Sequence, residues 1–211
     1  MTASRSDGPG NAAAVLVLGH GTRGSLDDPP LPAVARRLGE LGIDVVRFEF
    51  PRRSRHGSVV AVDAAESDDV LAACFASVVR ALEHPGALFV GGYSLGARIA
   101  TTIAERVGAV GVCCVSYPFH PVGEPRQCQA VELLRRCAPP VLVVQGNRDS
   151  FGNREQVTGY DLGSKVELRW LSDANHGLVP RQRSGFSLEQ HLATTAGHIE
   201  CFIQACLASG S

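Results

Sequence analysis

The sequence predicts an α/β fold, a mainly parallel sheet of about six strands with helices on both faces. Two observations predict it. Short apolar runs alternate with longer stretches whose apolar residues recur at helical spacing, the pattern of β-α-β units joined by right-handed crossovers. The runs are apolar almost throughout instead of at every second residue, as expected of strands covered on both sides. In chain order the strands are expected at 13–18, 44–50, 87–90, 110–115, 141–144 and 166–170. The first helix is expected over 31–41, delayed by Asp28-Pro29-Pro30-Leu31-Pro32, because proline suits only a first helical turn and its predecessor is pushed out of helical geometry. Helices over 70–82, 97–107 and 131–137 follow from apolar spacing. A last helix over 188–207 carries Leu188, Leu192, Ala196, Ile199 and Ile203 along one face.

A chain of 211 residues with 45% hydrophobic content can bury one core, so a single domain over 1–211 is expected, with 1–12 as a flexible tail. A net charge of −1 argues against general affinity for nucleic acid or acidic membranes. The basic cluster Arg52, Arg53, Arg55 and His56 reads as a solvated loop. Seven cysteines, an odd count without Cys-x-x-Cys spacing, read as reduced and mostly buried thiols. No run approaches the roughly 18 apolar residues that span a bilayer, and the polar Ser/Gly/Pro start is unlike a signal peptide. A cytoplasmic protein without nucleic-acid or membrane partners is the expectation.

The informative motif is Gly92-Tyr93-Ser94-Leu95-Gly96, placed between an apolar strand and a helix-prone stretch. A serine at such a turn projects its hydroxyl from the sheet edge, and the flanking glycines leave room where a Cβ would collide. A hydroxyl becomes a nucleophile when a base accepts its proton and a third group orients that base. Partners belong after other strands, since parallel sheets bind ligands beyond the strands' carboxyl ends. Gln145-Gly146-Asn147-Arg148-Asp149 and Ser172-Asp173-Ala174-Asn175-His176 occupy such positions. The candidate catalytic residues are therefore Ser94, Asp149 and His176. The oxyanion donors are expected to be the backbone amides of Leu95, the residue after the nucleophile, and Thr22, in the loop after the first strand.

Other residues compete with this set. His84, His191 and His198 fall in or beside helices and read as packing or surface residues; His56 lies in the basic loop. His120 follows a strand but precedes the candidate acid. Asp173 is too close to His176 in sequence to reach behind its ring, and reads as a turn-ordering residue. Gly19, Gly21 and Gly24 satisfy a dinucleotide-binding pattern, but the prolines at 29, 30 and 32 keep a helix from opening at the third glycine, where a pyrophosphate would need it. No metal-ligand spacing occurs, so no cofactor or metal is expected.

The strings Gly19-His20-Gly21, Arg47-Phe48-Glu49-Phe50-Pro51, Gly91-Gly92-Tyr93-Ser94-Leu95-Gly96-Ala97-Arg98, Tyr117-Pro118-Phe119-His120-Pro121, Gln145-Gly146-Asn147-Arg148-Asp149 and His176-Gly177-Leu178-Val179-Pro180 resemble one branch of the α/β-hydrolase superfamily. That branch holds small dienelactone-hydrolase-like proteins and eukaryotic relatives, a testis-expressed protein and a histone-acetyltransferase-complex subunit among them. The resemblance covers nearly the whole chain. It implies a minimal α/β-hydrolase fold lacking the first two antiparallel strands and any substantial cap domain. It also carries over Ser94, Asp149 and His176 as the triad. The chain departs from the family pattern at Tyr93, Ala97 and Asn175, and it has Ser94 where dienelactone hydrolases proper use cysteine. The implied function is a serine carboxylesterase or thioesterase acting on a small-molecule acyl substrate; the alternative is a catalytically silent binding or scaffold protein. Tyr93, Tyr117 and Phe119, with Phe50, are expected to line the acyl site. Arg148 and Arg181 are weighed as carboxylate binders, with solvent-facing loop positions as the plainer reading.

Overall fold

The computed structural model describes residues 2–51 and 67–209; the basic cluster at Arg52, Arg53, Arg55 and His56 lies outside them. Seven strands, β1 (Ser4–Asp7), β2 (Ala14–Gly19), β3 (Asp44–Phe48), β4 (Ala87–Tyr93), β5 (Gly111–Val115), β6 (Val141–Gly146) and β7 (Val166–Leu171), form one sheet in the order β1-β3-β2-β4-β5-β6-β7. All neighbouring pairs are parallel except β1 with β3. The helices are α1 (Leu31–Glu40), α2 (Asp68–Arg80), α3 (Leu95–Ile103), α4 (Gln129–Arg135), α5 (Arg154–Val157) and α6 (Leu188–Ser209).

Strand pleating divides the core in two. Val15 and Val17 of β2, with Val90, Val112 and Val143, meet Phe75 of α2, Ile99 and Ile103 of α3 and Leu134 of α4. Leu16 and Leu18 point the other way, onto Leu31, Val34 and Leu38 of α1 and Ile199, Phe202 and Ile203 of α6. In β2, β4, β5 and β6 the residues are apolar in succession because each meets one of these layers, whereas β7, expected as a covered strand, lies at the sheet edge and alternates, with Glu167 and Arg169 exposed.

Two further elements differ from the sequence expectation. The expected tail contains β1, a seventh strand at the sheet edge and antiparallel to β3, so the sheet does not lack both of the antiparallel strands that the resemblance implied to be missing. The β1 sequence, Ser-Arg-Ser-Asp, has no apolar signature because main-chain pairing to β3 and an ion pair between Arg47 and Asp7 (3.0 Å) hold it. The four-residue α5 is set by a reciprocal cap, in which Asn153 Oδ1 accepts the Gln156 N–H (3.0 Å) and Gln156 Oε1 accepts the Asn153 N–H (3.1 Å). The thiols are all unpaired, but only Cys113, Cys114 and Cys137 are buried, so "mostly buried" overstates them. Among the described residues, no helix is long and apolar enough to cross a membrane.

The strand order fixes where chemistry can occur. The chain leaves β2 toward β3 on one side, while β4 lies against β2 on the other. The loops after β2 and β4 therefore diverge and open a crevice at the sheet's carboxyl edge. Gly19 and Gly92, the last pair between those two strands, stand side by side at its base.

Candidate active site

Ser94 sits between β4 and α3 with φ 54° and ψ −113°, a conformation non-glycine residues rarely adopt. The turn is this sharp because α3 packs directly on β2. A Cβ on Gly96 would lie 2.0 Å from the Gly19 carbonyl oxygen, and one on Gly92 would lie 2.4 Å from the same atom. The Ser94 N–H donates to the Val115 carbonyl of β5 (3.0 Å), so the strained residue is clamped to the sheet.

The structure brings Ser94, His176 and Asp149 together across 82 and 27 residues of sequence separation. The Ser94 hydroxyl lies 3.0 Å from His176 Nε2, and His176 Nδ1 lies 2.8 Å from Asp149 Oδ2. A carboxylate only accepts, so Nδ1 carries the proton and Nε2 is left to accept from the serine. Asp149 is wholly buried. Its Oδ1 accepts the Phe151 N–H (2.9 Å), and its Oδ2 also accepts from Gln145 Nε2 (2.9 Å). The His176 ring is flanked by Phe151, with ring centres 4.4 Å apart, and by Tyr93 at 5.2 Å. Burial, reinforced by the negative charge of Asp149, pushes the Tyr93 phenol up to about 12, so it stays protonated beside the histidine at neutral pH.

The loop that delivers His176 is held by the residues considered as rivals. Asp173 Oδ2 accepts the Arg181 N–H (3.0 Å), while Arg181 and Arg148 both approach Oδ1 (2.5 and 3.5 Å). Its hydrogen bond from Arg181 holds the Asp173 carboxyl below the usual range, against a smaller opposing effect of burial. Both arginines are thus committed to ordering a turn. Asn175 Oδ1 accepts the N–H groups of Gly177 (3.0 Å) and Val179 (2.9 Å), closing the loop on the far side of the histidine. His120 is buried with Nδ1 toward the Pro121 carbonyl (2.7 Å) and Nε2 toward Gln156 Oε1 (3.2 Å), and it is His176 that meets the serine.

Thr22 and Leu95 line the same cavity as Ser94, a space of about 740 Å³ among the described residues. Leu95 opens α3, where the first amides have no partner within the helix. The Gly21–Thr22 peptide is held by a residue not singled out from sequence. His20 Nδ1 donates to the Gly21 carbonyl (2.8 Å) while Nε2 accepts the Phe50 N–H (3.0 Å), and the Gly24 N–H donates to the same Gly21 carbonyl (3.0 Å). That carbonyl and the Thr22 N–H belong to one planar trans peptide, so fixing the direction of the first also fixes that of the second. The glycine loop is not followed by a helix N-terminus, since α1 begins only at Leu31.

Of the expected acyl-site aromatics, Tyr93 and Phe119 line the cavity, joined by Phe151. Tyr117 and Phe50 do not. Tyr117 is fully buried beneath Phe119, its hydroxyl donating to the Ala130 carbonyl (2.8 Å). Phe50 packs edge-on to His20 and Phe48 and near Phe75. Gln145 was also not anticipated as a site residue. It is fully buried, and its amide nitrogen reaches Asp149 Oδ2, the Tyr117 carbonyl (3.2 Å) and the Gly152 carbonyl (3.3 Å). The described residues contain no group of three or more His, Cys, Asp or Glu side chains able to hold a metal ion.

Residues 12–204 match the model of a family described as alpha/beta hydrolase domain. Among solved structures, the chain is similar to Est1E from Butyrivibrio proteoclasticus with ferulic acid bound, at 15% identity over 98% of this chain and 96% of that one, with a TM-score of 0.73. An alpha-beta serine hydrolase homologue from Coxiella burnetii matches at 20% identity, covering 94% and 89% of the two chains, with a TM-score of 0.69. A serine hydrolase without a lid from Xanthomonas campestris matches at 21% identity over 94% of each chain, with a TM-score of 0.62. At such identities these structures establish the shared fold.

Proposed function

The chain belongs to the alpha/beta hydrolase family, and on that footing we propose that it is a serine carboxylesterase or thioesterase acting on small to medium acyl groups. The observation that carries this reading is the unbroken chain from the Ser94 hydroxyl through His176 to buried Asp149, built on a serine with strained backbone. His176 removes the Ser94 proton as Oγ attacks the acyl carbonyl. The Leu95 and Thr22 amides receive the oxyanion, each such donor being typically worth about 3 kcal/mol in the transition state. Asp149 keeps the imidazole in the required tautomer and stabilises its positive form. Collapse of the tetrahedral intermediate expels the alcohol or thiol, which takes the proton from His176. Water, deprotonated by His176, then releases the acid and regenerates Ser94.

An ester fits better than a dienelactone, because the strings shared with dienelactone hydrolases carry serine here in place of their cysteine. The apolar walls beside Ser94, made of Tyr93, Phe119 and Phe151, support an acyl group that is itself largely apolar. One helix, α4, and an irregular segment fill the stretch between β5 and β6, which supports a site without a cap domain in that connection. A cytoplasmic setting is part of the proposal, supported by seven unpaired cysteines.

The test is reaction with a fluorophosphonate probe, followed by peptide mapping, alongside hydrolysis of nitrophenyl esters. Label is expected on Ser94 and should be lost in His176→Ala. Ser94→Ala should abolish esterase activity with Tm nearly unchanged; a variant as active as the parent would sink the assignment.

A further inference from the structure

The wall of the cavity changes character one helical turn beyond the nucleophile. Arg98 lies four residues after Ser94 on α3, about 6 Å further along the axis, and its N–H donates to the Ser94 carbonyl (3.1 Å). Its guanidinium grips Asp68, at the start of α2, through both carboxylate oxygens, Nη1 to Oδ2 and Nη2 to Oδ1 (2.8 Å). Both residues line the cavity that holds Ser94 and His176, together with Gln127 and Gln129. The Arg98 side chain is three-quarters covered, with 25% exposure against 53% for Asp68.

An isolated Arg98 in this position would recruit a carboxylate, the group its planar fork binds best. Asp68 already occupies that fork. A second carboxylate must displace Asp68 or lie beside it, and like charges brought together in a partly desolvated site are strongly disfavoured. A hydroxyl or amide meets no such barrier. Arg98 has five N–H donors, of which Asp68 engages two, and Asp68, Gln127 and Gln129 offer further acceptors.

Resting on the serine hydrolase reading, we propose that Asp68 is a specificity-determining residue: by pairing with Arg98 it keeps the acyl cavity neutral, so that the enzyme takes apolar acyl groups ending in an uncharged polar group and rejects those ending in a carboxylate. Specificity here is built as repulsion of the wrong substrate as much as attraction of the right one. The pair also ties α2 to α3, and the test must separate that role from selectivity.

Three para-nitrophenyl esters of equal chain length make the comparison: the hexanoate, the ω-hydroxyhexanoate and the monoester of adipic acid. The wild-type protein should favour the hydroxy ester over the adipate monoester by about tenfold or more in kcat/KM. In Asp68→Asn that ratio should fall about tenfold, and in the double variant Asp68→Asn, Arg98→Gln the gain for the adipate ester should vanish. Wild-type protein that hydrolyses the adipate ester as well as the hydroxy ester overturns the proposal without any variant. An unchanged ratio in Asp68→Asn, with only a lower Tm, reduces the pair to a tie between helices and also overturns it. Fluorophosphonate labelling of Ser94 in the same preparations distinguishes the two levels. Labelled protein with the wrong ratio refutes the role of Asp68 alone, whereas absence of both label and turnover refutes the serine hydrolase reading and this inference with it.

Discussion

Replacing Gln145 by Met tests whether Asp149 is held in place by more than His176. Met nearly preserves the volume but removes the amide that reaches Asp149 Oδ2 at 2.9 Å. A hydrogen bond to a charged group is typically worth about 1.5–3 kcal/mol. The Tyr117 carbonyl keeps the Phe119 N–H (3.1 Å) when its contact with Gln145 is lost, so that loss is small. Gln145 Oε1 is buried without a partner among the described residues, and deleting it returns about 1 kcal/mol. The net expectation is a loss of about 1–2 kcal/mol, or a Tm lower by roughly 2–8 °C for a domain of this size. If Asp149 also turns or drifts, His176 is misaligned in the transition state and kcat should fall about five- to thirtyfold, the same 1–2 kcal/mol read as a rate. KM should change little, because Gln145 does not line the substrate cavity. Thermal melts and steady-state kinetics on one nitrophenyl ester read both numbers. A kcat equal to wild type with a lowered Tm would show that Gln145 supports the fold and not Asp149, refuting the positioning argument.

Other outcomes follow from the same structure. Gly96→Ala would set a Cβ 2.0 Å from the Gly19 carbonyl, backbone against backbone; a cost of about 3 kcal/mol or more is expected, seen as a large Tm drop or insoluble protein, and a near-native melt would contradict the packing of α3 on β2. Asp44 is buried, which by itself raises its pKa, but His84 (2.8 Å) and the amides of Ala12 and Gly10 outweigh this and hold it below 3.8. Its stabilisation is present above the unfolded value and lost as pH falls through the lower folded one, so Asp44→Asn should lower Tm at pH 7 and flatten the acid limb of Tm against pH below about 4. All three tyrosines are pushed above their ordinary 10.0, chiefly by burial, with Tyr93 reaching about 12. Folded protein should therefore show less tyrosinate absorbance at pH 10 than the unfolded chain, and stability should decline as pH rises from there; a normal phenol titration in the folded state would argue that Tyr93 is not packed against the site. Activity should survive prolonged chelator treatment, and a loss restored by a divalent cation would require a different mechanism.

What the sequence made legible is what depends on neighbours along the chain or on a rule about the whole sheet. Ser94 could be identified because a strand, a sharp turn and a helix are consecutive there, and Asp149 and His176 because every loop after a parallel strand emerges at the same edge. The residues missed are those whose role comes from a partner delivered by packing. His20 acts through its own neighbouring carbonyl, yet its ring is fixed by the Phe50 amide 30 residues away. Gln145 reads as one more polar residue at a strand end until β5 and the 149–152 turn fold around it. Tyr117 and Phe50 failed as pocket residues for the complementary reason: an aromatic side chain near the functional edge can face the cavity or the core. Tyr117 faces the core because a buried carbonyl, that of Ala130, satisfies its hydroxyl there.

The same distinction bears on how this fold can change its substrate. The parts legible from sequence, Ser94, Asp149, His176 and the glycines beneath the turn, are locked to the sheet, where a Cβ has no room and a buried carboxylate has three hydrogen bonds to satisfy. The cavity beyond them is lined by residues of α2, α3 and the 117–130 connection, and its Arg98–Asp68 pair is partly exposed, above the buried core that these elements share. Replacing Asp68 alters the charge of that cavity without touching a hydrogen bond of Ser94, His176 or Asp149. On the proposed reading, selectivity is therefore free to vary where the triad is not, through residues on the helices flanking the crevice, beyond the strand ends that carry Ser94, Asp149 and His176.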